Sequence, residues 1–394
     1  MPDLFIGLMS GTSVDAVDGA LVDFSGVSPE TLAFASLPMP AALRGELLSL
    51  QQPGADELAR AARATVTLSD LYAEVVHRLL ADAGLDAAAV RAIGAHGQTV
   101  RHRPEDGYTL QLMDGARLAE RSGIAVACDF RSADVAAGGQ GAPLVPAFHA
   151  GAFSHPSRRR AVVNIGGIAN VSLLAPGETV HGHDTGPGNL LLDLWCERHT
   201  GAPYDRDGAW GARGQVLPAL LGQLLDEPYF RMAPPKSTGR DLFHAGWLEA
   251  RLAGADGHAA GGAGPATPST TGAARPAATA DPADVQATLA ELTAVTISRA
   301  CAEFRADEVF ICGGGARNLL LMQRLAALCA PAAVAATDAL GGASQAVEAV
   351  AFAWLAAQRL RGEPGNLPEV TGARGPRVLG ALYPAPLRAP AAMG

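Results

Sequence analysis

Apolar residues along this chain alternate between two periodicities, and the succession of strand-like and helix-like segments predicts an α/β protein. Leu4-Phe5-Ile6 leads into a Gly/Ser/Thr turn, and a second apolar run over 19–24 completes a β-hairpin. Over 56–83 apolar residues recur every three or four positions, as on one face of a helix. Strands are expected at 90–95, 108–113 and 124–128, with a helix over 114–121. Further helices are expected at 190–198, 284–303, 319–328 and 347–360, and a strand at 308–312. The tail after Gly362 is rich in Pro and Gly and reads as irregular structure.

The stretch over 161–172 repeats the opening of the chain: an apolar strand, a Gly-containing polar turn, then another apolar strand. Two such units about a domain apart predict an internal duplication with a cleft between the halves. A length of 394 residues also exceeds one typical core and predicts two domains. The expected division is 1–135 with about 357–394 in one domain and 136–356 in the other. Residues 253–282 are almost wholly Ala, Gly, Pro, Thr and Ser, and are expected to form a flexible insertion.

Composition narrows the function classes. Hydrophobic content of 48% with 18% charge fits a packed globular protein, not a disordered one. The formal charge of −9 argues against non-specific binding to nucleic acid or a membrane surface, which both favour a basic face. Lys236 is the only lysine, which with abundant Ala, Gly and Arg reads as coding bias. The five cysteines are scattered without Cys-x-x-Cys spacing, so neither a zinc knuckle nor a redox pair is supported. With no signal-like segment and no apolar run of membrane-spanning length, the expected compartment is the reducing cytoplasm.

The candidate chemistry sits in polar turns after strands, where α/β proteins place their ligands. Gly11, Thr12, Ser13, Val14, Asp15, Ala16, Val17 and Asp18 form a loop rich in backbone N–H and hydroxyl donors that can wrap a triphosphate. Its carboxylates, Asp15 and Asp18, can hold Mg²⁺ through water without direct ligation. Read alone, the loop is an ordinary hairpin turn. Asp184 precedes Thr185-Gly186-Pro187-Gly188-Asn189 and a helix start; Thr185 and Asn189 are able caps, which leaves Asp184 available as a base. Gly313-Gly314-Gly315-Ala316-Arg317-Asn318 follows a strand and lets a flat group or phosphate approach the backbone, with a tight turn as the equal alternative. No Gly-Lys-Ser/Thr loop exists, since Lys236 follows Pro235, so phosphates must be held by backbone, hydroxyls and metal-bound water. His96-Gly97-Gln98-Thr99, Asp129-Phe130-Arg131 and 138–143 offer groups suited to sugar hydroxyls, amides and a carboxylate. His96 and His149, taken singly, read as structural histidines.

Together these stretches resemble the anhydro-N-acetylmuramic acid kinases, members of the sugar kinase, heat-shock chaperone and actin superfamily. The resemblance is carried by Gly7-Leu8-Met9-Ser10-Gly11-Thr12-Ser13 and the strings at 96–99, 129–131, 136–146, 164–172, 184–189, 236–240, 313–318 and 348–356. These run in order along nearly the whole chain. The resemblance implies an α/β fold of two duplicated actin/hexokinase-like (ribonuclease H-like) domains around an ATP cleft. It implies ATP-dependent, hydrolytic opening of 1,6-anhydro-N-acetylmuramic acid to N-acetylmuramic acid 6-phosphate, in peptidoglycan recycling, with Mg²⁺ and a possible homodimer. Asp184 then matches the catalytic Asp. The loop over 11–18 and the turn with Asn164, Gly166, Gly167 and Asn170 would cradle phosphates, and Gly313, Gly314, Gly315 and Asn318 would face adenosine. Gln98, Arg131, Gly139 and Glu348 are the candidate sugar contacts. Departures from the family pattern are Ala16 and Met113, where Gly is common, with Asp241, His244 and Gln345. The competing readings are a kinase of the same fold for another amino sugar and a non-catalytic, ATP-gated muropeptide sensor.

Overall fold

The computed structural model describes residues 2–11, 13–26, 29–259, 280–340 and 342–387. Among these the strands are β1 (Leu4–Met9), β2 (Ala16–Asp23), β3 (Glu30–Pro38), β4 (Val90–Ala95), β5 (Gln98–Arg103), β6 (Tyr108–Leu112) and β7 (Val126–Cys128). They continue as β8 (Arg160–Ile165), β9 (Ile168–Leu174), β10 (His181–Pro187), β11 (Glu308–Cys312), β12 (Ala333–Ala336) and β13 (Ala381–Tyr383). The chain divides into two compact units, 1–154 with 178–181 and 338–394, and 155–177 with 182–337.

Both units repeat one topology. The first sheet runs β13-β7-β4-β1-β2-β3 and the second β10-β9-β8-β11-β12. In each, the opening strand pairs antiparallel with the next (β1 with β2, β8 with β9) and parallel with a later one (β1 with β4, β8 with β11). A further parallel strand follows, β7 in one and β12 in the other. The shared order is the duplication that the two β-turn-β openings predict, and the fold is a duplicated α/β architecture.

In the first unit, residues 7 and 8 of β1 point to opposite faces of the sheet, as the pleat requires. On one face Leu8 joins Leu68, Tyr72, Val75 and Leu79, the apolar stripe of the helix Glu57–Ala83. On the other face lies the helix Val347–Arg361, so close that a Cβ on Gly7 would overlap the Ala349 carbonyl and one on Gly94 the Phe352 carbonyl. This packing explains a difference from the expected domain division. The helix Val347–Arg361 belongs with β1 and β4, and the helix Val145–Phe153 joins it through Phe148 and Trp354, whose ring centroids lie 6.2 Å apart. The division therefore falls at 154/155 and 337/338.

In the second unit the helix Pro282–Phe304 is buried along most of its length among helices Leu190–Thr200 and Leu319–Leu328. Asp281 caps it by accepting from the Ala283 N–H at 2.9 Å, and Pro282 occupies its first position. Of the insertion expected over 253–282, residues 260–279 lie outside the described residues; 253–259 continue the helix Ala245–Ala259 and 282 opens the next one.

Candidate active site

The first loop leaves β1 after Met9, which pairs with Asp18 of β2. Val14 is held at φ 54°, a left-handed conformation costly for a β-branched residue. Its side chain is fully buried and its N–H donates to the Gly11 carbonyl at 3.2 Å, so the turn is enforced from both sides. Val17 is likewise core, so Val14 and Val17 offer a ligand only backbone. Ser13 Oγ–H donates to Asp15 Oδ1 at 2.5 Å on the exposed rim. Ala16, Val17 and Asp18 are already in β2, and Thr12 lies outside the described residues.

In the second unit Asp184 lies within β10, not in a turn, and its neighbours come from the segment 229–238. The residue is only 7% exposed, and one carboxylate oxygen, Oδ2, accepts from the Thr238 N–H at 3.0 Å. The Asp184 N–H donates to the Lys236 carbonyl at 3.3 Å, and the Tyr229 hydroxyl donates to the Asp184 carbonyl at 2.7 Å. Lys236 Nζ donates to the Tyr229 carbonyl at 3.2 Å and lies 4.8 Å from the centre of the Tyr229 ring. Burial lowers the Lys236 pKa, against the pull of Glu303 and Asp184. Burial, followed by the Asp184 charge, raises that of the Tyr229 phenol, which stays protonated and a donor. Burial and the Lys236 charge push His183 down to about 4. Sequence pattern does not single out Tyr229 or Thr238 for the site; the Lys-Ser-Thr-Gly-Arg string at 236–240 is its signal for this segment.

The turn after Asp184 docks on the turn between β8 and β9. Asn189 N–H donates to the Gly166 carbonyl at 2.8 Å, Gly188 N–H to the Gly167 carbonyl at 2.9 Å, and Asn189 Nδ2 to the Ile165 carbonyl at 3.1 Å. Asn164 is buried, opposite both Asn170 of β9 and Cys312 of β11. Gly313 sits at φ 79°, and a Cβ there would overlap Asn164 Oδ1; a Cβ on Gly315 would overlap Ile165. Two of the three glycines thus serve close packing of strand ends, while Gly314 has only Asn189 Nδ2 within contact, at 3.2 Å. Asn318 Oδ1 accepts from the Leu321 N–H at 3.1 Å and caps the helix Leu319–Leu328.

The candidate sugar contacts all lie in the first unit. Gln98 is 1% exposed, with its amide bonded to Ser10 and Gly11. Arg131 donates through Nη1 to the Gly141 carbonyl at 2.7 Å and through Nε and Nη2 to His96. Gly139 lies against the Asp134 carboxylate, and Glu348 stands in the first turn of the helix Val347–Arg361. The structure brings Gln98 to the start of the first loop, with Arg131 behind it through His96, and it is the turn after Asp184, at 188–190, that meets the glycine turn at 166–167.

The model of the anhydro-N-acetylmuramic acid kinase family matches residues 3–385. The chain belongs to that family. It is 58% identical over 386 residues to an anhydro-N-acetylmuramic acid kinase of Bordetella petrii, covering 97% of this chain and 96% of that one. Similar proteins of the same name from Variovorax paradoxus and Cupriavidus pinatubonensis are each 53% identical, across 97% of this chain and 99% and 98% of theirs. Membership in a kinase family makes the chain an enzyme of phosphoryl transfer. Among the described residues, no helix is long and apolar enough to cross a membrane.

Proposed function

We propose that this protein converts 1,6-anhydro-N-acetylmuramic acid, water and ATP to N-acetylmuramic acid 6-phosphate and ADP, with Asp184 as general base. The observation that carries the reading is the setting of Asp184: a nearly buried carboxylate with one oxygen fixed by the Thr238 amide. A carboxylate so oriented can accept a proton from a water that attacks C1 of the anhydro sugar. Cleavage of the 1,6-anhydro bond frees O6, which then takes the γ-phosphoryl group.

The loop over 11–18 and the turn with Asn164, Gly166, Gly167 and Asn170 are assigned to the ATP phosphates, and Gly314 to the adenosine side. Backbone donors suit this task, because the chain lacks a Gly-Lys-Ser/Thr loop. The donor set of the first loop fits Mg²⁺, with Asp15 exposed beside the Ser13 hydroxyl and Asp18 half-buried at the start of β2. These are hard oxygen ligands suited to a cation that retains waters. Bound there, Mg²⁺ would neutralise charge on the phosphates. Arg131, Gly139 and Glu348 are assigned to the sugar, and the cytoplasm to the reaction.

Mass spectrometry of products from anhydro-N-acetylmuramic acid, ATP and Mg²⁺ tests the assignment. The 6-phosphate of N-acetylmuramic acid is expected. Turnover of a different amino sugar in its place, or sugar binding without turnover, would replace this reading with one of its competitors.

A further inference from the structure

The first loop is gripped from behind by side chains at the ends of neighbouring strands, all within the first unit. Ser10, the residue after β1, is 1% exposed. Its Oγ–H donates to Gln98 Oε1 at 2.5 Å, and Gln98 Nε2 donates to the Gly11 carbonyl at 3.2 Å. One buried amide therefore holds two consecutive residues at the point where the loop departs from the sheet.

The Ser10 carbonyl has a second anchor. His96 Nδ1 lies 3.3 Å from it, while His96 Nε2 faces Arg131 Nε at 3.1 Å and Nη2 at 2.9 Å. A guanidinium only donates, so Nε2 must carry the lone pair and Nδ1 the hydrogen that Ser10 accepts. Burial, with the Arg131 charge, pushes His96 down to about 3 and keeps this tautomeric form at neutral pH. The support is itself fixed: the His96 N–H donates to the Leu8 carbonyl at 3.0 Å, and the Tyr72 hydroxyl to the Gly97 carbonyl at 3.2 Å. The Phe352 ring closes over His96 at 4.9 Å between centroids.

We propose that Gln98, with His96 behind the Ser10 carbonyl, is a positioning residue for the ATP-phosphate loop and not a sugar contact. Its side chain is buried and engaged at both ends by the loop, which leaves its effect on substrate to act through Ser10 and Gly11. A loop held in its binding conformation before ATP arrives has less freedom to lose on binding. The proposal rests on reading residues 11–18 as the ATP clamp.

Steady-state kinetics on Gln98→Ala, Ser10→Ala, the double variant and Ser10→Thr test it. KM for ATP is expected to rise about 10-fold in each alanine variant while KM for the sugar stays within about 2-fold. The double variant should be no worse than Gln98→Ala alone, because that change already removes the Ser10 link. Ser10→Thr, which keeps the hydroxyl, should restore most of the loss. Gln98→Glu keeps the acceptor for Ser10 but loses the donor to Gly11, so it should raise KM for ATP if the alanine variant does not fold. A rise in sugar KM alone, or additive losses in the double variant, overturns the proposal. Gly11→Val separates the two layers. If it raises KM for ATP while Gln98→Ala does not, the clamp stands and the positioning role falls. If neither moves KM for ATP, the clamp reading falls with it.

Discussion

The Thr238 amide donates to Asp184 Oδ2 from 54 residues further along the chain, at 3.0 Å. A backbone donor cannot swing away as a rotamer could, so the position of this oxygen is set by the fold.

Tyr229 supports the same residue through its hydroxyl, which donates to the Asp184 carbonyl at 2.7 Å. Tyr229→Phe leaves that buried carbonyl short of a donor, and should cost about 1–2 kcal/mol of stability in urea unfolding. The base would be less well held, so kcat is expected to fall several-fold with KM for ATP little changed. An unchanged kcat would remove Tyr229 from the support of Asp184.

The three glycines after β11 should respond unequally. Gly315→Ala drives a methyl group into Ile165 and is expected to lower stability by about 1–3 kcal/mol. Gly314→Ala has open space, apart from Asn189 Nδ2 at 3.2 Å, and should fold normally. If Gly314 faces adenosine, its alanine variant raises KM for ATP while sugar KM is unaffected. Thermal unfolding and kinetics on the pair distinguish packing from contact.

Acid should weaken the fold through its buried histidines. Burial holds His96 and His149 down to about 3 and His183 to about 4, against about 6.5 in an unfolded chain. Below about 6.5 the unfolded state takes up protons that the folded state refuses. Stability is therefore full above that pH and falls as pH drops toward 3–4, by up to about 1.4 kcal/mol per pH unit for each residue. Urea midpoints at pH 7.5 and 5.5 should show the drop. His149→Phe, which keeps an aromatic ring beside Phe148 and Phe153, should shrink it. An equal drop in wild type and variant would contradict this account.

Local pattern carries the helices and the inner strands, because their burial imposes it. The helix Leu319–Leu328 and strand Glu308–Cys312 fall where periodicity places them. By contrast β10, His181–Pro187, has hardly an apolar residue and is ordered by its place at the edge beside β9. Strand β13 lies in a Pro- and Gly-rich tail and exists through pairing with β7. The site divides in the same way. Asp184 stands out because a Gly-rich turn and two alternative caps surround it in sequence, whereas Tyr229 and Thr238 reach it only through tertiary packing. Gln98 reads as a ligand from its place after a strand, and its bonds to Ser10 and Gly11 appear only in the folded chain.

The central claim is that Asp184 activates the water that opens the anhydro ring. Its most direct test is turnover of the anhydro sugar with ATP and Mg²⁺ in ¹⁸O-labelled water, comparing wild type with Asp184→Asn. The asparagine keeps an oxygen for the Thr238 amide but is no base. Wild type should place label at C1 and phosphate at O6, and the variant should lose at least about 100-fold in kcat while still folding and binding ATP. Wild-type product without label at C1, or an Asp184→Asn enzyme at full rate, would contradict the account.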